Sequence, residues 1–168
     1  MKKMLILCSV LLILTGCKKK QDSNPNVEHE KGITYTCKRY EKYKKKDLDR
    51  RDGKDITSDS DTTAIELTIS KIYNFDETGE KLLSFFEVNE YKYLLDYNMN
   101  KEKEILAKSC DNAKEYGYKS CNASLSGKIV TIKRELDLNN EDYKESANKA
   151  TLQNIKDDYA GGEIYTCY

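Results

Sequence analysis

Apolar positions fall first in one block and then in alternation. Met4 to Leu14 is apolar apart from Cys8 and Ser9, and it follows Lys2 and Lys3. That block is shorter than the roughly 20 apolar residues a spanning helix needs. A charged start, a short apolar core and a small-residue exit form a secretion signal, removed from the folded protein. Residues 17–32 show no periodic pattern and hold the only proline, Pro25, and the only histidine, His29. They read as a flexible tether.

From Ile33 onward the period is two. A strand is expected over Ile33–Tyr43, then a charged, structureless stretch to about Asp61. Ile65, Leu67, Ile69, Tyr73 and Phe75 alternate as in a half-buried strand, with Lys71 interrupting that face as a bulge or an edge. Asp76–Gly79 reads as a hairpin loop, and the return strand passes through Leu83, Phe85 and Val88. The period then turns helical. A helix capped at Asn98 or Asn100 carries Ile105, Leu106, Cys110 and Ala113 on one side, and Gly117 stops it. Lys119–Leu125 and Lys128–Leu138 form a second hairpin across Ser126-Gly127. A second helix, capped at Asn139 or Asn140, runs to Tyr159 and stops at Gly161-Gly162, before a closing strand over Glu163–Tyr168. Hairpins with two helices packed on one face predict a single α+β domain over 33–168, with an antiparallel sheet of about five to six strands.

Composition changes the picture in two ways. Removing residues 1–16 leaves 152 of 168, enough for one domain. Without Lys2 and Lys3 there are 27 basic and 29 acidic residues, so the balance of −2 gives no argument for nucleic acid as partner. Leu, Ile, Val and Phe are sparse, and the thirteen tyrosines supply part of the missing apolar area.

Four cysteines lie beyond Cys17, namely Cys37, Cys110, Cys121 and Cys167. An even count in an exported domain reads as disulfides, with three connectivities open. Cys37–Cys167 and Cys110–Cys121 is preferred. The first pair lies near the domain ends, in the echoed tripeptides Tyr35-Thr36-Cys37 and Tyr165-Thr166-Cys167, which suits adjacent strands; the second is local. Reduced thiols or pairing with a partner are the alternatives. Without a Cys-x-x-Cys there is no expectation of redox catalysis.

The signal exit, Leu14-Thr15-Gly16-Cys17, resembles a bacterial lipobox. The resemblance implies cleavage before Cys17 and a diacylglyceryl group on its sulfur. Two acyl chains of the palmitate kind give the stable anchoring that one chain does not. Lys18, Lys19 and Lys20 would then sit at the headgroups. The expected location is the outer face of the bacterial cytoplasmic membrane, at the cell surface in a Gram-positive host.

The lipobox, the first strand with its Thr36-Cys37, the two hairpins each followed by a helix, and the closing Tyr165-Thr166-Cys167 resemble the YehR-like small bacterial lipoproteins, over about residues 33–168. That family has a domain of unknown function, so the resemblance implies a fold and a location but no reaction. Three features depart from it. Glu163-Ile164 stands where relatives usually have glycine before the tyrosine, and the Cys110/Cys121 pair and the long charged stretch are additional.

Candidate chemistry is sparse. A lone histidine in the tether leaves no Ser-His or Cys-His pair and no tetrahedral zinc set. The stretch with Asp47, Asp49, Asp52, Asp55, Asp59 and Asp61 partly resembles a calcium loop. Arg51 stands at a ligand position, however, and interleaved Lys46, Arg50 and Lys54 favour a solvated mixed-charge loop. Lys42, Lys44, Lys45 and Lys46 with Tyr40 and Tyr43 read as a solvated loop edge rather than a stacking site for nucleic acid or sugar. Phe85, Phe86, Tyr91, Tyr93 and Tyr97 are the candidate partner surface, against the plainer reading that they fill the core. No catalytic residue, metal or cofactor is expected. The expectation is a non-enzymatic envelope lipoprotein binding an unknown protein or envelope component. The alternatives are an inhibitor of a cell-wall hydrolase and a small hydrolase using carboxylates.

Overall fold

The computed structural model describes residues 32–54, 60–162 and 164–168. The signal, Cys17, Pro25, His29, Asp55 and Asp59 lie outside the described residues. The strands are β1 (Ile33–Lys44), β2 (Thr63–Phe75), β3 (Leu82–Tyr93), β4 (Tyr118–Ser126), β5 (Ile129–Leu136) and β6 (Thr166–Cys167). They form one antiparallel sheet in the order β4-β5-β3-β2-β1-β6. The helices are α1 (Lys45–Arg51), α2 (Met99–Ala107), α3 (Glu141–Lys149) and α4 (Leu152–Ala160). The fold is α+β, with four helices among the described residues rather than the expected two.

Alternation decides which side chains meet. In register, Ile65 faces Tyr43 and Tyr93, and Leu67 faces Tyr91, which in turn faces Val130. These positions share one side of the sheet. There Ile65, Tyr93, Val130 and Ile132 are buried together with Leu48 of α1 and Ala64, and Leu106 of α2 packs on them. Each such side chain contributes about 1.5–3 kcal/mol by leaving water. At the other end of the same side, Tyr73 packs against Phe85 in a tilted pair with ring centroids 4.8 Å apart, and its hydroxyl meets that of Tyr159 in α4 at 3.0 Å. α1 and α2 thus cover one end of this face, and α4 reaches the other.

Three expectations are corrected. The charged stretch is helical over Lys45–Arg51, because its one apolar residue, Leu48, is buried and Asp47 caps the turn by accepting the Lys44 N–H at 3.1 Å. The second helix is two helices. Ala150 is extended (φ −74°, ψ 111°), and Thr151 restarts the helix by accepting the Asn154 N–H at 3.2 Å. Lys71 marks neither an edge nor a bulge. It sits in regular register between Cys37 and Glu87, with its ammonium 5.2 Å from the Tyr165 ring centre.

α2 starts at its expected cap but ends at Ala107, well short of the expected stop at Gly117, and the closing strand is only Thr166–Cys167. Asn98 caps α2 by accepting the Lys101 N–H at 3.2 Å, and α2 gives way to a 3₁₀ turn at Lys108–Cys110. Gly117 has φ +78°, and an added Cβ would collide with the Tyr143 ring, so glycine is required there. Among the described residues no helix is long and apolar enough to cross a membrane.

Buried phenols give the fold an alkaline limit. Burial pushes Tyr73, Tyr91 and Tyr93 above the ordinary value of 10.0, helped by the Tyr159 hydroxyl at Tyr73 and by Glu102 at Tyr93. A folded value above the unfolded one gives stability that is complete below the unfolded value and lost as pH rises past it. Urea unfolding midpoints are therefore expected to fall from about pH 10 upward, and Tyr93→Phe to flatten the fall. Midpoints that stay level above that pH would contradict the assignment.

Candidate functional site

Both preferred disulfides are present. Cys37 and Cys167 are directly opposite in the β1–β6 pairing with Cα atoms 4.0 Å apart, and Cys110–Cys121 ties the 3₁₀ turn to β4. Cys37 is fully buried. The first bridge holds the last residues of the domain on the edge of β1, where β6 alone supplies only two strand residues.

The aromatic candidates do not form one surface. Tyr93 is buried at 2 % exposure and donates its hydroxyl to Glu102 at 2.8 Å. Tyr91 and Tyr97 pack against the same core, and Phe85 packs against Tyr73 at the other end. Phe86 points to the opposite face, where the Lys133 ammonium stands 4.4 Å from its ring centre. Position parity in β3 separates Phe86 from the rest.

Around Glu102 the covered side carries a buried ionic centre. Glu102 is 3 % exposed and accepts from Arg51 Nη1 at 2.9 Å, Arg51 Nη2 at 3.0 Å and the Tyr93 hydroxyl. This forked pairing joins α1 to α2 across 51 residues of sequence. It satisfies a charge that would otherwise be costly to bury.

Three of the aspartates near α1 are matched by cations. Asp49 pairs with Lys45 at 3.1 Å, Asp52 with Arg51 at 2.8 Å and Asp61 with Lys46 at 2.7 Å. The bond from Arg51 holds the Asp52 carboxyl below its ordinary range, and those from Lys46 and Lys44 do the same for Asp61. Among the described residues no three Cys, His, Asp or Glu side chains are grouped to hold a metal ion.

The second face of the sheet has a different character. Its residues are the off-phase set: Tyr40 and Lys42 from β1, Glu66 and Thr68 from β2, Glu90 and Lys92 from β3, Ile129 and Thr131 from β5. All of these but Thr131, together with Glu41 and Leu67, line a cleft of about 620 Å³. Tyr40 and Lys42 belong to a strand, not to the loop edge expected from sequence. Tyr40, Thr68 and Glu90 stand opposite one another in register, and Lys42, Glu66, Lys92 and Ile129 form the next line across the sheet. Lys92 bonds Glu66 at 3.0 Å and keeps its carboxyl below the ordinary range. Tyr40 is 69 % exposed. Among the described residues, neither its hydroxyl nor the Glu90 carboxylate makes a side-chain hydrogen bond or ion pair. Glu66, Thr68, Glu90, Lys92 and Ile129 were not candidates from sequence. The available signal was the parity of β2 and β3, which sends every second residue away from the core.

No family model, curated protein or solved structure matches this chain.

Proposed function

We propose that this chain is an extracytoplasmic lipoprotein, anchored through a diacylglyceryl group on Cys17, whose domain is a non-enzymatic module binding an envelope component through its second sheet face. The observation that carries the binding reading is the one-sided architecture. Helices pack on one face, while the other presents a cleft with an exposed tyrosine, Tyr40, and Glu90. The anchor is supported by the sequence Leu14-Thr15-Gly16-Cys17 after its short apolar block, and by two disulfides of the kind kept outside a reducing compartment. The resemblance to the YehR-like lipoproteins points the same way. A binding rather than catalytic role is supported by His29 being the only histidine and by the ion pairing of three of the aspartates near α1.

Cys17→Ser in the full chain tests both parts. The variant is expected to leave the membrane fraction of wall-stripped cells, to keep both disulfides, and to sediment with membrane-free envelope material of the host. A variant that stays membrane-bound contradicts the anchor. One that is released but does not sediment with envelopes contradicts the binding reading.

A further inference from the structure

We infer that the cleft on the second sheet face is a subsite for a neutral saccharide chain, with Tyr40 as its stacking platform and Glu90 and Thr68 as its hydrogen-bonding groups. This rests on the reading of that face as the binding face and names its ligand class.

Four features of the cleft select a sugar over other ligands. Tyr40 leaves a large ring in water at 69 % exposure, in a cleft whose lining also includes Leu67 and Ile129. An aromatic ring with a polar tip suits a partner that is apolar on its face and polar at its edge, as a pyranose ring is. Next, register places Tyr40, Thr68 and Glu90 in one line on three consecutive strands, so the two ends lie roughly 10 Å apart. A ring seated over Thr68 has the tyrosine on one side and the carboxylate on the other. Third, the hydrogen-bonding capacity is of the right kind. Glu90 only accepts, and the Thr68 and Tyr40 hydroxyls donate and accept, matching the hydroxyls of a sugar.

The fourth feature is charge. Glu41, Glu66 and Glu90 stand against Lys42 and Lys92, so the lining carries one net negative charge. A polyanion would meet two carboxylates beside the platform, which disfavours nucleic acid and favours an uncharged ligand. The volume, about 620 Å³, is in the range of small-ligand clefts. A stable protein partner needs a largely dehydrated apolar centre, and here the centre of the cleft is a threonine between a tyrosine and a glutamate.

The test is titration calorimetry of the intact chain with N-acetylchitotetraose and with maltotetraose, comparing wild type with Tyr40→Ala and Glu90→Gln. Both positions are exposed, so the variants are expected to keep the wild-type thermal midpoint and both disulfides. Binding of at least one probe is expected, weakened about tenfold by Tyr40→Ala and severalfold by Glu90→Gln. No heat from either probe overturns the proposal, and so does binding that both variants leave unchanged. Sedimentation of Cys17→Ser with envelopes, without binding of either probe, overturns the saccharide but leaves the binding reading standing. Loss of both overturns both.

Discussion

Replacing Cys37 and Cys167 together by alanine is expected to cost about 5 kcal/mol of stability, the largest effect of any change to this domain. The bridge closes 130 residues of sequence, nearly the whole domain, so cutting it frees the unfolded chain most. Cys110–Cys121 closes only 11, and the same loop argument gives about 3 kcal/mol for its removal. The native side adds to the asymmetry. β6 pairs with β1 over two residues and two flanking bonds between Thr36 and Tyr168 at 2.9 Å, too little to hold a strand without a covalent tie. A domain stable by about 5–15 kcal/mol would lose much or all of its margin. Urea unfolding of the two double variants under non-reducing conditions measures both effects. A smaller loss for the Cys37/Cys167 variant than for the Cys110/Cys121 variant would contradict the role given to the long bridge.

Arg51→Ala is expected to cost about 3 kcal/mol, far above an ordinary surface ion pair. Glu102 is 3 % exposed in the native fold, and of its three bonds the variant keeps only that from the Tyr93 hydroxyl. The cost comes from stranding a charge, so removing both partners is cheaper than removing one. Arg51→Met with Glu102→Leu is expected to recover most of the loss. Tyr93→Phe removes one neutral donor and is expected to cost about 1.5 kcal/mol. An Arg51→Ala cost below about 1 kcal/mol, the range of exposed pairs, would show that water reaches Glu102 in solution.

The strands were legible because a half-buried strand writes its face into the sequence at every second residue. Ile65, Leu67, Val130 and Ile132 carry that signal, and all four are buried. The disulfides were legible from the echoed Tyr-Thr-Cys tripeptides and the local spacing of the second pair. α1 was not, since seven residues with one apolar side chain have no measurable period; its helix depends on Leu48 meeting Ile65 and on Arg51 meeting Glu102. The break between α3 and α4 had a local signal, Thr151 with a free side chain to cap a new helix, hidden inside a continuous polar pattern. Lys71 misled because its charge lies on the covered face, over tyrosine rings supplied from Tyr159 and the C-terminal segment. The second face was hardest to read. A surface of Tyr, Thr, Glu and Lys looks the same in sequence whether it is merely solvated or shaped into a cleft. Only the register of β1, β2 and β3 aligns Tyr40, Thr68 and Glu90.

Mass spectrometry of the mature protein from its native membrane, before and after reduction, tests the anchored and stapled domain most directly. The expected mass is that of residues 17–168 plus a diacylglyceryl group and less four hydrogens for the two bridges, which reduction restores. A mature chain without lipid on Cys17 would contradict the anchor, and free thiols before reduction would contradict the staples.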